Sequence, residues 1–365
     1  MRFREFCQVL TEDRTVGREL QHLEDLVFVD GSAGALEALD ILKQFQSDVS
    51  DVSIKWDGTP AVIFGRNAAG EFILTDIAGF GAKNYNGRVT SAQDLANMIM
   101  SRGSKELTDE RRAYAADMAR AWSAFESAVP NNIRGFFHGD LLYKETPPVV
   151  DNHFVFTPNK VTYSVKASSN IGRRIARSRV GVVVHTFTDL ENNRVQASVD
   201  SLREGELFIM PPVIAQHAPQ VNLQSVGSIE AAVKKYAAGI DSLLAPKPGL
   251  SDIKNIIYTY VNQMSREGRW DQLTTGFEAW LKNSKVSDSK QAKILSLPEY
   301  KYFSVVFEIV LKIQALKNEV IDQLDQADQD VVASIAGTRG GEGYVAARSR
   351  TKLVPRHRFR IGKAE

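Results

Sequence analysis

The residues best suited to chemistry sit in Ser53-Ile54-Lys55-Trp56-Asp57-Gly58-Thr59-Pro60-Ala61-Val62-Ile63-Phe64-Gly65. Apolar β-formers flank an Asp57-Gly58 pair that can adopt the positive φ angles of a short turn, so the stretch predicts strand, tight turn, strand. Lys55 then stands at the mouth of a hairpin. An amine desolvated there and close to another cation loses its proton more readily and can attack an electrophile such as phosphorus. A lone Lys-x-Asp-Gly also describes an ordinary solvated turn, so the chemistry depends on partners elsewhere in the chain.

Four later stretches are candidates for those partners. Asp140 lies in Phe136-Phe137-His138-Gly139-Asp140-Leu141-Leu142-Tyr143, a predicted strand opened by Gly139. Glu342 stands between glycines in Gly340-Gly341-Glu342-Gly343-Tyr344, at a strand start. Lys352 belongs to the basic stretch Arg350-Thr351-Lys352-Leu353-Val354-Pro355-Arg356, and Lys83 to the Gly/Asn-rich loop 79–87. Nucleotidyl transfer through a lysine needs a nucleophile, cations for phosphate and carboxylates for a metal, and this set contains all three. Singly, each has a structural reading: Asp140 as a turn cap, Glu342 as an exposed loop residue, Lys83 and the Arg350/Lys352 pair as solvated charges.

The elements that must position these residues follow from composition and periodicity. With 365 residues, 43% apolar and 24% charged, the chain reads as a soluble globular protein long enough for two domains. A net charge of +1 is no overall signature of nucleic-acid binding. The single cysteine, Cys7, forms no intrachain disulfide and fits a reducing compartment. The first residues are charged, with no apolar run after them. Nowhere do about 18 uncharged apolar residues follow one another, so we expect no membrane association and a cytoplasmic location.

Periodicity predicts a strand at 26–29, a helix at 34–45, the Lys55 hairpin, a strand at 71–75 and helices at 94–101 and 108–129. Strands follow at 134–143, 152–156, 160–165 and 180–187, then helices at 229–244, 253–265, 270–282 and 301–325, with strand character again at 344–360. The expected fold class is α+β: antiparallel and mixed sheets with flanking helices, interrupted by an all-helical block. The expected domains are 1–227 with 337–365, and a helical domain at 228–336.

Taken in order, Lys-x-Asp-Gly, Phe-x-Gly-acid-Leu, Glu-Gly-hydrophobic and a basic strand resemble the covalent nucleotidyltransferase superfamily of ATP-dependent DNA ligases, RNA ligases and mRNA capping enzymes. The RNA ligases of bacteriophages look closest. The resemblance covers 50–190 and 338–360. It implies a nucleotidyltransferase-type fold, with 1–227 plus 337–365 as the adenylation domain. It also implies ATP and Mg²⁺ or Mn²⁺ as cofactors, nucleic acid with 5′-phosphate ends as partner, RNA ahead of DNA, and a host cytoplasm as location.

By position, the resemblance implies that Lys55 attacks the α-phosphate of ATP and holds AMP as a phosphoramidate. Asp57 and Gly58 complete that motif, and the backbone at Ile54 faces the base. Lys83 falls where a cation contacts phosphate or ribose, Asp140 where a glutamate usually touches ribose or supports the metal, and Glu342 at a metal-site glutamate. Lys352 matches the lysine that binds the α-phosphate and neutralises the leaving pyrophosphate, with Arg350 as its same-face partner and Arg356 as a further cation. In Val182-Val183-Val184-His185-Thr186-Phe187, alternation places His185 and Phe187 on one face. Phe187 there is either the aromatic that stacks on adenine or a core residue.

The chain departs from the pattern at Asp140 and at Pro60, where an arginine or asparagine is usual. Ten positions separate Glu342 from Lys352, which requires a tight hairpin near 348–350, and the 13 residues after Lys352 leave no room for a C-terminal OB-fold. RNA ligation is therefore expected ahead of DNA ligation or capping. His138-Gly139-Asp140-Leu141 is also similar to the catalytic loop of aminoglycoside-phosphotransferase-like kinases, with Asp140 as base, although Glu145 stands where those kinases want asparagine. A third reading is a nucleotide- or nucleic-acid-binding protein without turnover. Arg173, Arg174, Arg177 and Arg179, and the basic residues of 348–363, are candidate phosphate-backbone contacts or solvated faces.

Overall fold

The computed structural model describes residues 21–80, 89–102, 107–327, 330–356 and 358. The chain is mixed α+β and divides into two compact units. The described residues of the first unit run from 56 to 212 and from 330 to 341; those of the second run from 21 to 55, from 213 to 327 and from 342 to 358.

In the first unit, five strands pair antiparallel in the order Arg194–Gln196, Val180–Thr188, Gly135–Tyr143, Ala61–Arg66, Phe72–Asp76, and Leu207–Ile209 adds parallel to Val180–Thr188. Helices Ala92–Ser101 and Asp109–Ala128 begin where Ser91 and Thr108 accept backbone N–H bonds from Asp94 and Arg111. Their apolar faces meet the sheet in a core that includes Phe64, Phe72, Met118, Trp122, Phe125 and Phe137. A second, antiparallel sheet runs Thr338–Arg339, Val331–Ile335, Val161–Lys166, His153–Phe156, Val149–Val150. Val331–Ile335, inside the stretch read as helical, is thus a strand; its five residues complete a ladder with 161–165 that local periodicity does not reveal.

The second unit holds a four-stranded sheet in the order Gln21–His22, Thr351–Leu353, Tyr344–Ala346, Val52–Ile54, parallel in the first pair and antiparallel in the others. Helices Leu26–Phe45, Leu223–Leu244 and Tyr302–Gln326 pack on one another, and Ile253–Glu267 brings Tyr258 against Phe28 at 6.1 Å between rings. The strand expected at 26–29 is instead the start of the Leu26–Phe45 helix. Leu26, Val27 and Phe28 are all buried, and a short apolar run reads alike in a buried strand and a buried helix. Gly31, at φ +63°, carries the helix through a kink, where Ser32 donates from backbone and hydroxyl to Asp241 at 2.7 and 2.8 Å. The helix expected at 270–282 is broken into a 3-10 turn, Trp270–Gln272, and a helix, Phe277–Lys282. The helices expected at 94–101, 108–129 and 301–325, and the strands at 71–75 and 180–187, form within a few residues of those bounds. Among the described residues no helix is long and apolar enough to cross a membrane.

The hairpin expected around Asp57-Gly58 does not form. Val52–Ile54 pairs with Tyr344–Ala346 in the second unit, whereas Ala61–Arg66 lies between Phe72–Asp76 and Gly135–Tyr143 in the first. Gly58 is not at positive φ; a Cβ there would come within 2.6 Å of Asp140 Cβ and 3.0 Å of the Leu141 carbonyl oxygen. The glycine permits close approach rather than a left-handed turn. Gly58→Ala is expected to lower stability by about 1–3 kcal/mol, as overpacking does, measurable by urea denaturation.

Candidate functional site

The Lys55 site is built by the four-stranded sheet of the second unit. Alternation buries Val52, Ile54, Tyr344, Ala346, Thr351 and Leu353 on one face and leaves Ser53, Val345, Lys352 and His22 half-buried on the other. Lys55 follows two residues after Ser53, and the ladder extends to it, because its N–H donates to the Gly343 carbonyl at 2.8 Å. Its ammonium forms an ion pair with Glu342, the two side chains being 25% and 17% exposed. Gly343 must be glycine: it sits at φ +128°, and a Cβ would lie 2.2 Å from the Leu353 carbonyl oxygen. That close crossing is what the Glu-Gly pair provides. Register places Lys352 between Val345 and His22. The tight hairpin expected between Glu342 and Lys352 is present, with Arg350 N–H donating to Ala347 across the turn at 3.2 Å.

Directly after His22 comes a buried ionic cluster. Lys317 donates to both oxygens of Glu24 at 2.8 and 2.7 Å, with both side chains fully buried. Arg356 pairs with Asp25 and lies 3.1 Å from Glu24, and Tyr258 donates to Asp25 at 3.2 Å. Burial pushes the Glu24 carboxyl up, but Lys317 and Arg356 overrule it and hold it below the usual range. Burial dominates at Asp25, raising it to about 6. Burial, and then the charges of Arg356, Lys317, Lys352 and Lys55, hold the His22 imidazole well below the ordinary histidine range. Sequence reasoning missed this cluster and His22. One sign was available: Lys317 falls within the apolar stripe of Ile313, Val320 and Leu324, where a lysine needs a buried partner.

In the first unit, Trp56 packs on Tyr163, with ring centres 4.5 Å apart. Asp57 is buried; its carboxylate accepts from Asn159 and from the Lys160 N–H at 3.0 Å each, and its own N–H donates to the Tyr163 hydroxyl at 2.6 Å. Asp57 thus caps the turn before Val161–Lys166. Asp140 pairs in register with Ala61 and hydrogen-bonds His185 Nε2 at 2.7 Å. A bulge between His138 and Gly139 leaves His185 without a ladder partner. The same-face expectation for His185 and Phe187 therefore fails: Phe187 packs on Phe137 against the core, while His185 is exposed beside Asp140.

His138 is buried, bonded to the Thr188 hydroxyl at 2.9 Å, and pushed down to about 4, first by burial and then by Arg194 and His185. Between the ordinary 6.5 and about 4 the unfolded chain holds a proton that the folded state refuses. Stability is therefore lost as the pH falls through that window and is unaffected above it. His138→Gln is expected to flatten this loss by about 1–3 kcal/mol, read from urea midpoints at pH 7, 5.5 and 4.5.

The remaining predicted residues fall as follows. The Ile54 N–H is taken by the Val213 carbonyl at 2.9 Å. Arg350 sits in the turn at φ +54°, outside the strand alternation that makes it a same-face partner of Lys352. Arg356 is committed to the buried cluster. Lys83 lies outside the described residues. Arg174 and Arg179 pair with Glu204 and Glu206, and Arg348 with Asp48. Glu342 is the carboxylate at the Lys55 amine, and among the described residues no three His, Cys, Asp or Glu side chains gather as a metal-binding group. The donor set still suits Mg²⁺, which is commonly held by one or two carboxylates together with substrate phosphates.

No curated protein and no solved structure matches the chain. A family profile matches it over residues 18–361, and the chain therefore belongs to that family, described as a family of unknown function, DUF6267.

Proposed function

We propose that the protein is an ATP-dependent polynucleotide ligase of the nucleotidyltransferase type, sealing RNA ends ahead of DNA ends through AMP carried on Lys55. The observation that carries this reading is the ion pair of Lys55 with Glu342, residues 287 apart in the chain, at the end of the sheet whose half-buried face carries Lys352. The neutral amine of Lys55 attacks the α-phosphorus of ATP; the N–P bond forms and the bond to the β-phosphate oxygen breaks, with pyrophosphate leaving on the electron pair. Glu342, already bonded to the amine, orients it for the attack, and the amine's proton passes to water. Lys352 offsets the charge that grows on the leaving group. Mg²⁺ at Glu342 supplies further neutralisation of the phosphate oxygens when bound. The resemblance assigns Asp140 to ribose or to metal support. A polynucleotide 5′-phosphate oxygen next attacks the phosphorus of the lysyl-AMP and returns the electron pair, with a proton, to Lys55. A 3′-hydroxyl then attacks the activated 5′-phosphate and releases AMP.

A panel of labelled 5′-phosphorylated RNA and DNA, single-stranded and nicked, with ATP and Mg²⁺, tests this reading. Joined product that requires ATP and Lys55 supports it, with RNA joined faster than DNA. No joining and no adenylated 5′ end on any substrate contradicts it.

A further inference from the structure

We propose that a cavity in the first unit, beside the turn from Val129 to Arg134, is a phosphate-ester site in which Arg66 and Arg203 take the phosphoryl oxygens. The proposal goes beyond the ligase reading. Every residue lining the cavity belongs to the first unit, and neither Lys55 nor AMP transfer enters the argument.

The fold brings three arginines to this turn, and none of them pairs with a described carboxylate. At the end of the strand Ala61–Arg66, the guanidinium of Arg66, a residue only 9% exposed, donates to the backbone carbonyls of Val129, Pro130 and Gly70 at 3.0–3.3 Å. Those bonds use three of the five N–H donors of a guanidinium and bring no full negative charge to it. The C-terminal end of the helix Asp109–Ala128 supplies roughly half a charge. Arg134 lies against Gly70, where a Cβ would come within 2.8 Å of its guanidinium, and donates to the carbonyls of Asn131 and Ile133 at 2.7 and 2.8 Å. Arg203 is exposed and is tied to the helix end by its backbone N–H, which donates to the Ala128 carbonyl at 2.8 Å; its guanidinium bonds no described residue.

At these groups opens a cavity of about 420 Å³ whose lining includes Arg66, Arg203, Asn131, Asn132 and Glu126. That volume falls within the roughly 300–1,000 Å³ of small-molecule sites. The nearby carboxylates have partners of their own: Glu126 accepts from the Trp122 indole at 3.0 Å, Glu71 from Asn67 at 2.8 Å, and Glu204 pairs with Arg174. Three guanidinium groups therefore stand against Glu126 and Glu71, each bonded to a neutral side chain. A nearly buried guanidinium without a counter-charge is unfavourable, and an entering oxyanion relieves it. Arginine is also the side chain whose planar fork matches phosphoryl oxygens in pairs. The amides of Asn131 and Asn132 add donors, while Glu126 offers an acceptor to a hydroxyl of the esterified sugar. A sugar phosphate answers both kinds of group, whereas a bare oxyanion leaves Glu126 unmatched.

The test is a titration of the full-length protein, ¹⁵N-labelled at arginine, with ribose 5-phosphate as the probe and inorganic sulfate as the control. The side-chain N–H resonances of Arg66 and Arg203 are expected to shift together and to saturate with ribose 5-phosphate, and sulfate is expected to bind more weakly. Arg203→Ala, at an exposed position, is expected to weaken binding of the probe about tenfold or more, the worth of one hydrogen bond to a charged group. No saturation at millimolar probe, saturation with these two arginines unmoved, equal affinity in Arg203→Ala, or sulfate bound as tightly as ribose 5-phosphate overturns the proposal. Should the variant fail to fold, the wild-type shifts decide alone. A 5′-phosphorylated oligoribonucleotide that displaces the probe makes nucleic acid the source of the phosphate ester; failure to displace it makes the source a free sugar phosphate. Saturating shifts at both arginines with no AMP ever found on Lys55 keep this site and remove the ligase reading; AMP on Lys55 with both arginines unmoved does the reverse.

Discussion

Lys55→Ala is expected to reduce RNA joining by about 10³-fold or more, because removing a covalent nucleophile removes every step that passes through it. The fold should survive. Lys55 and Glu342 are partly exposed, and such pairs contribute about 1 kcal/mol or less. Lys55→Arg separates nucleophile from charge. Arginine keeps a cation beside Glu342 but does not deprotonate, so it cannot form the N–P bond. It is expected to be as inactive as alanine while binding ATP with near wild-type affinity. Activity within tenfold of wild type in either variant, measured on 5′-phosphorylated RNA, contradicts the assignment of Lys55.

Lys317→Met is expected to lower stability by about 3–5 kcal/mol, the range for breaking a buried pair from one side. Lys317 is fully buried and its only described partners are the two oxygens of Glu24, equally buried. With Lys317 gone, two carboxylates face Arg356 alone, and the cluster changes from neutral to negative. Glu24 and Asp25 lead directly from the Gln21–His22 strand, so the site loses its edge strand as the cluster fails. The double variant Lys317→Met with Glu24→Gln removes both charges and is expected to recover part of the loss. The pH dependence has a defined sign. Asp25, raised to about 6 from an ordinary 3.8, makes the folded state hold the extra proton, so its contribution to stability falls as the pH rises across that window. Urea midpoints of the single variant within about 1 kcal/mol of wild type contradict this account of the cluster.

What could be read from the sequence was local or was carried by ordered motifs. The long amphipathic helices, such as Tyr302–Gln326, and the alternating strand Val161–Lys166 declare themselves by their period. The motifs single out Lys55, Glu342 and Lys352; the structure pairs the first two, and Lys352 lies on the half-buried face of the same sheet. The hairpin between Glu342 and Lys352 follows from their short spacing, whereas the need for glycine at 343 appears only where it crosses the Leu353 carbonyl. What was not readable depends on partners distant in the chain. Val52–Ile54 looks like half of a hairpin because its true partner, Tyr344–Ala346, lies near the other end of the sequence. Leu26-Val27-Phe28 looks like a strand because burial on all sides erases helical periodicity. The bulge at His185 moves that side chain off the face of Phe187, and no pattern of residue types announces it. His22 carries no motif; only its pairing with Lys352 brings it to the site.

The central claim is covalent AMP on Lys55, and the direct measurement is incubation of the protein with α-labelled ATP and Mg²⁺, followed by denaturing separation and peptide mapping. The account predicts label retained through denaturation on the peptide containing Lys55, stable to base, labile to acid as a phosphoramidate, released by pyrophosphate, and absent from Lys55→Arg. Failure to retain α-label, or α-label on a different residue, contradicts it, and transfer from γ-labelled ATP alone would mark a kinase instead.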